Sequence, residues 1–249
     1  MTASEFAAQA PALMSRVLDT QMPAIQEAAA LVADSLAAGG VLQSFATGHS
    51  RVVALELTGR AGGLAPAGML SVKDLVMFGG ADPKEILDPT YERVPGLAER
   101  IYELARPQPG DPFLIVSNSG VNAAVVEMAH LARERGHRVV AITSLAHTRS
   151  PSARHTAGPH LVDLADIVLD NLAPAGDASV EPAPGIRVGA VSSLTGVLIA
   201  QVLTELVCRR LLDRGVEVPV FVSANLAGGD EVNARLRERY RGRVRSVEP

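Results

Sequence analysis

The stretch Leu114-Ile115-Val116-Ser117-Asn118-Ser119-Gly120-Val121-Asn122, "LIVSNSGVN", decides how this chain is read. An apolar run stops at three hydroxyl and amide side chains beside one glycine, and an Ala/Val-rich helical pattern, "AAVVEMAHLARERG", follows. A strand that ends this way feeds the start of a helix, whose first N–H groups have no partner within the helix. Such residues can cap the helix, a serine or asparagine oxygen accepting from those N–H groups. They can equally hold an anion, because the same free N–H groups and the helix dipole attract phosphate.

Outward from this junction the chain repeats its plan. "FATGHSR" (45–51) also leaves an apolar run, passes a glycine and enters a helical pattern. Apolar strand-like runs at 39–48, "LAPAGML", "PFLIVS", 137–143 and 165–171 alternate with helical spacing over 3–38, 50–63, 90–105, 121–135 and 189–214. A break in the first helix is expected at Met22-Pro23. Residues 218–225 read as extended and "DEVNARLRERYRG" as a peripheral charged helix. Strands that alternate with helices, several of them apolar throughout, predict an α/β fold with a parallel sheet covered on both faces. No repeat or linker divides the chain, so one domain over 1–249 is expected, with 1–38 as an N-terminal helical extension. The long Pro/Gly/Ala/Ser-rich segments 144–160 and 172–187 flank strands and are predicted to be active-site loops.

Composition narrows the function. The 249 residues carry a net charge of −4, which offers no basic footprint for nucleic acid. The start "MTASEFAAQAPALMSRVL" lacks a basic region followed by an apolar block, and 189–214 reads as a buried core helix, so no membrane partner and a cytoplasmic setting are expected. Cys208 is the one cysteine, which excludes a disulfide framework. Neither junction has the lysine of a nucleotide P-loop or a G-x-G-x-x-G fingerprint, which argues against an NAD-dependent enzyme. Phosphate would be held by neutral hydroxyls, amides and backbone N–H groups, which suits a small phosphorylated metabolite. The loop histidines His147, His155 and His160 are spaced by eight and five residues, a pattern that matches no familiar zinc site. No cofactor and no metal are expected.

Proton transfer needs an acceptor, and Glu56 is the candidate. It lies six residues beyond Ser50 among Val52, Val53, Ala54, Leu55 and Leu57. Burial there would raise its pKa toward that of a general base. The alternative is a solvated helical stripe, or an i,i+4 pair with Arg60. His155, in "SARHTAG", is the candidate second proton-transfer group, against an ordinary loop histidine. Asp170, Asn171, Asp177 and Glu181 form a polar cluster that could bond sugar hydroxyls or could shape turns. Ser192 and Ser193 open the last long helix, and Asn225, Asp230 and Asn233 mark a segment that could close over a site.

With "TGHS", "SNSG" followed by Asn122, and "ELTGRAGG" on the page, the chain resembles the sugar isomerase (SIS) domain family of phosphosugar-binding proteins over roughly 30–225. It is most similar to a bacterial group of stand-alone SIS proteins, through "SARHTAGPHLVDLADIVLDN", "PAGDA" and "SANLAGGDEVN". The resemblance implies a three-layer α/β/α sandwich with a five-stranded parallel sheet, and a homodimer or larger homo-oligomer. It implies a phosphate cradle at Ser117, Ser119 and Asn122, where Asn stands in place of a frequent Thr, with Ser50 and His49 in the first loop. Asn118, Gly120, Asn171, Asp177 and Glu181 are the expected substrate-binding set, and an acidic catalytic residue belongs in the helix that carries Glu56. The expected ligand is a phosphosugar. The leading reading is an enzyme acting on an amino-sugar 6-phosphate such as N-acetylglucosamine 6-phosphate, by C2 proton abstraction and elimination at C3, as in the similar N-acetylmuramic acid 6-phosphate etherases. The alternatives are an aldose–ketose isomerase and a non-catalytic sugar-phosphate sensor.

Overall fold

Strands buried on both faces need two layers of helices, and the computed structural model, which describes residues 4–88, 90–150 and 158–245, supplies both. Five parallel strands, β1 (Leu42–Ala46), β2 (Ala67–Leu70), β3 (Phe113–Val116), β4 (Val139–Thr143) and β5 (Ile167–Asp170), lie in the order β2-β1-β3-β4-β5. The register places Gln43 beside Phe113 and Phe113 beside Val139. Every residue of β1, β3 and β4 is buried. Side chains still alternate across the sheet with period two. Leu114 and Val116 join one core with Val17, Ile25 and Ile199, whereas Phe113 and Ile115 join the other with Ile101 and Met128.

The first core is covered by α1 (Glu5–Ala37), α2 (Arg51–Glu56) and α8 (Val191–Asp213). The second is covered by α3 (Asp74–Met77), α4 (Leu97–Ala105), α5 (Ala123–Glu134) and α7 (Leu161–Leu164). The short α6 (Leu145–Thr148) follows β4, and α9 (Gly229–Arg239) follows α8. The α/β sandwich with a five-stranded parallel sheet and an N-terminal helix is therefore as expected from the sequence. By length and apolar composition α8 could cross a membrane, but here it packs on α1 and α2.

Several details differ. The helix α1 runs unbroken through Pro11 and Pro23. Both prolines are exposed, and buried Val17 and Ile25 anchor the helix on either side of Pro23, so packing outweighs the lost hydrogen bond. The helix expected over 50–63 stops at Glu56 and is followed by turns, with Gly59 at φ 68°. Within 172–187 the chain begins an antiparallel hairpin, β6 (Ala178–Ala183) and β7 (Ile186–Ala190). Residues 218–225 contribute one isolated bridge, Leu64 to Val220, in place of a strand.

The amino-terminal edge of the sheet is locked by Asp111. Its fully buried carboxylate accepts from the Val41 N–H (2.8 Å), the Gln43 amide (3.1 Å), the Gln108 N–H (2.9 Å) and Arg243 (2.8 Å). That edge is committed to structure, which leaves the carboxyl edge for a ligand.

Candidate functional site

At the carboxyl edge, β1 and β3 are neighbours whose following helices leave to opposite faces, α2 to the α8 side and α5 to the α4 side. Open α/β sheets place ligands in the crevice that such a divergence opens. A narrow crevice is found there, lined by His49, Ser50, Asn118, Asn171, Ser192 and Ser193 above Val53 and Val116. Its polar lining comes from the starts of α2 and α8, the loop before α5 and the end of β5. None of these groups is an arginine or lysine. One residue past Ser50, the Arg51 Nε is buried without a hydrogen-bond partner among the described residues.

The loop after β3 is tightly built. The Ser117 hydroxyl accepts from the Gly120 N–H at 3.1 Å, which folds Ser117–Gly120 back on itself. Gly120 has φ 69°, and a β-carbon there would meet the Thr143 hydroxyl at 3.3 Å and the Thr148 hydroxyl at 3.4 Å, so glycine is required twice over. The Thr148 hydroxyl shares its one proton between the Ser119 carbonyl at 3.0 Å and the Ser144 carbonyl at 2.9 Å. Ser144 is fully buried, caps α6 through the His147 N–H and donates to the Ala173 carbonyl at 2.6 Å. These supporting threonine and serine side chains lie outside the junction motif, and sequence reasoning missed them.

Asn122 stands at the N-cap of α5 without capping it, and its amide donates to Glu92 at 2.7 Å. Glu92 was also missed, since 30 residues of chain separate it from Asn122. Asn118 and Asn171 are joined side chain to side chain at 3.2 Å. Ser119 and Asn122 are half-buried in the same loop but do not line the crevice that gathers His49, Ser50, Asn118 and Asn171.

The side chain of Glu56 is 17% exposed, pairs with Arg60 and accepts from the Gln201 amide of α8. The i,i+4 pair with Arg60 is thus present in a largely buried carboxylate. Glu56 lies at the far end of α2 from Ser50 and is not among the crevice-lining groups. His155 lies outside the described residues.

The remaining polar residues have local partners. Asp177, at φ 70°, accepts from both the N–H and the hydroxyl of Ser192 at 2.7 Å, and so caps α8 from a distance. Glu181 is exposed on β6 and accepts from the Gly185 N–H across the hairpin turn. His147 accepts from the Gly176 N–H, pinning the 172–177 loop to α6. Asn233 is buried and bonds both backbone groups of Val222, while Asn225 and Asp230 are exposed. Among the described residues no group of three or more His, Cys, Asp or Glu side chains could hold a metal ion. A larger cavity of about 500 Å³ lies between β2 and α9. Its arginines are engaged, Arg237 and Arg245 over the Phe221 and Phe78 rings and Arg241 with Glu238.

Comparison with known proteins bears on the family and the fold. The SIS domain family matches residues 5–144. A UPF0309 protein of Streptomyces griseus is 38% identical over 245 residues, covering 97% of this chain and 96% of that protein. A UPF0309 protein of Listeria monocytogenes is 34% identical over 230 residues, covering 90% and 91%. Among solved structures, the phosphoheptose isomerase GmhA of Neisseria gonorrhoeae superposes with a TM-score of 0.52 at 19% identity, covering 80% of this chain and 93% of that one. A phosphoheptose isomerase of Francisella tularensis does so with a TM-score of 0.51 at 16% identity, covering 84% and 100%. At these identities the structural likeness speaks for the fold.

Proposed function

The chain belongs to the SIS domain family, and from that premise we propose that it binds a phosphorylated amino sugar at the β1–β3 crevice and moves the proton at C2. The observation that carries this reading is the convergence of neutral donors, Ser50, Ser192 and Ser193 at the starts of α2 and α8 with Asn118 and Asn171 just past β3 and β5, on the diverging ends of β1 and β3. Neutral hydroxyls and amides with free helix N–H groups suit a sugar phosphate. Ser117, Ser119 and Asn122 form the phosphate cradle in this reading.

Glu56 is the proposed base. It takes the C2 proton of the open-chain aldehyde, and the electron pair is held as the C1 enolate. With an N-acetyl group at C2, the C2=C3 double bond then forms as the C3–O bond breaks, and the C3 hydroxyl leaves as water after protonation by His155. With a free hydroxyl at C2, return of the proton to C1 as the O2 proton moves to O1 gives the aldose–ketose isomer; with a free amine the product is the C2 imine, which becomes the ketose only when water adds and ammonia leaves. The lyase outcome on N-acetylglucosamine 6-phosphate is the leading one. The same reading includes a cytoplasmic homodimer.

One observation favours a non-catalytic sensor instead. Glu56 is engaged by Arg60 and Gln201 and stands away from the crevice lining. Incubation with N-acetylglucosamine 6-phosphate, glucosamine 6-phosphate and fructose 6-phosphate, followed by mass, separates these outcomes. Loss of water supports the lyase and an isobaric product the isomerase. Thermal stabilisation without turnover supports the sensor. Unchanged turnover in Glu56→Gln removes Glu56 from the mechanism.

A further inference from the structure

An asparagine at an N-cap ordinarily turns its side-chain oxygen inward, to accept from the first-turn N–H groups. Asn122 makes no such bond. Its amide reaches the other way, to Glu92 Oε1 at 2.7 Å. The N–H groups of Ala123 and Ala124 have no acceptor among the described residues, so Glu92 brings negative charge to a helix end that lacks a cap. The second carboxylate oxygen, Oε2, lies 3.5 Å from the position a β-carbon on Gly48 would take. The carboxylate that holds Asn122 thus also lies close to the loop after β1.

The turn that carries Glu92, Tyr91–Arg93, is fastened from behind. The buried Tyr91 donates its hydroxyl to Glu85 at 3.1 Å and accepts from Arg100 at 3.2 Å. The Gly96 N–H donates to the Glu127 carboxylate of α5 at 3.1 Å. With the turn held at these two points, Glu92 is its contact with the front of α5.

We propose that Glu92 is an internal competitor for the phosphate cradle, holding Asn122 until the ligand's phosphate displaces it. This rests on the reading of Ser117–Asn122 as that cradle. A carboxylate and a phosphate cannot both sit against the Asn122 amide, because like charges in contact repel and no arginine or lysine lines the crevice beside them. Ligand binding therefore opens the Glu92–Asn122 contact. The affinity observed is the intrinsic one reduced by the fraction of molecules in which that contact is open.

The test titrates inorganic phosphate and N-acetylglucosamine 6-phosphate into the full chain and into Glu92→Gln and Glu92→Ala, by calorimetry. Gln keeps the shape and removes the charge, while Ala removes both. Both variants are expected to bind about tenfold more tightly, the gain for a contact closed nine times in ten. Hydrogen exchange supplies a readout that needs only the unaltered chain. The amides of Arg93 and Val94, bonded to the Thr90 and Tyr91 carbonyls, should lose protection when phosphate is added. Equal or weaker binding by the variants, with the unaltered chain still binding, overturns the proposal and leaves the phosphate reading intact. Unchanged protection at saturating phosphate overturns it in the same way. If no form of the protein binds either compound, the cradle reading fails and this proposal fails with it.

Discussion

The amide of Asn171, just past β5, donates to the Asn118 side-chain oxygen just past β3 at 3.2 Å, reaching over the end of β4 that lies between them. Asn171 is 2% exposed, and its own oxygen accepts from the Ala173 N–H at 3.0 Å. The pair fixes the floor of the crevice and the path of the chain after β5 at once. Asn171→Ala leaves the buried Ala173 N–H and the half-buried Asn118 oxygen without their partner and is expected to cost about 1–3 kcal/mol. Urea unfolding measures that cost. Calorimetry with a sugar phosphate should show several-fold weaker binding, because Asn118 is then free to turn.

Gly120 is held in a left-handed conformation against Thr143 and Thr148. Gly120→Ala is expected to destabilise the protein by about 1–3 kcal/mol, the range for a strained backbone position. The Ser117–Gly120 turn should open with it, so phosphate binding falls by more than the stability loss alone explains. A thermal melt in the presence and absence of saturating phosphate separates the two effects. A variant as stable as the unaltered chain, with undiminished affinity, would count against the loop geometry.

Asp177 takes both the N–H and the hydroxyl of Ser192, and so does for α8 what a local N-cap would do. Asp177→Ala should cost about 0.5–2 kcal/mol, as other cap removals do. Asp177→Gly should cost less than this cap loss predicts, because glycine relieves the positive φ while losing the same bonds. Denaturant midpoints for the two variants decide the ordering.

The sheet was legible because β3 is apolar at every step and β4 at every step but Thr143, the pattern of a strand covered on both faces, whereas β1 buries Gln43 and Ser44 within its run. The junctions after β1 and β3 were legible for a related reason, since a glycine and hydroxyls between a strand and a helix have few structural uses. Long-range partners were not. Nothing near Glu92 in sequence points to Asn122, and nothing near Gln201 points to Glu56, since both contacts are made by packing of separate elements. Asp177 and Glu181 looked like ligand groups because their stretch is polar and rich in proline and glycine. Their partners, Ser192 and Gly185, are backbone-capping ones that composition does not reveal. The hairpin escaped notice because Pro182 and Pro184 interrupt its alternation, and Pro23 suggested a break that the packing of α1 prevents.

The last prediction concerns the opposite edge of the sheet. His137 is 4% exposed, with Nε2 2.7 Å from the Tyr102 hydroxyl and Nδ1 2.9 Å from the Asp111 carbonyl. A carbonyl only accepts, so Nδ1 carries a proton, and in the neutral ring Nε2 accepts from Tyr102. Burial lowers its pKa below 6.5, outweighing the Asp111 carbonyl bond and the Asp111 charge. Between the folded pKa and 6.5, the unfolded chain therefore binds this proton more readily than the folded one. The contribution to stability is complete above pH 6.5 and is lost as the pH falls through that window. Within it, the loss is at most about 1.4 kcal/mol per pH unit. Urea unfolding across pH 7.5 to 5.5, in the unaltered chain and in His137→Gln, isolates the effect from the other titrating groups. The unaltered chain should lose more stability than the variant over that interval, and parallel profiles would show that His137 is not the group responsible.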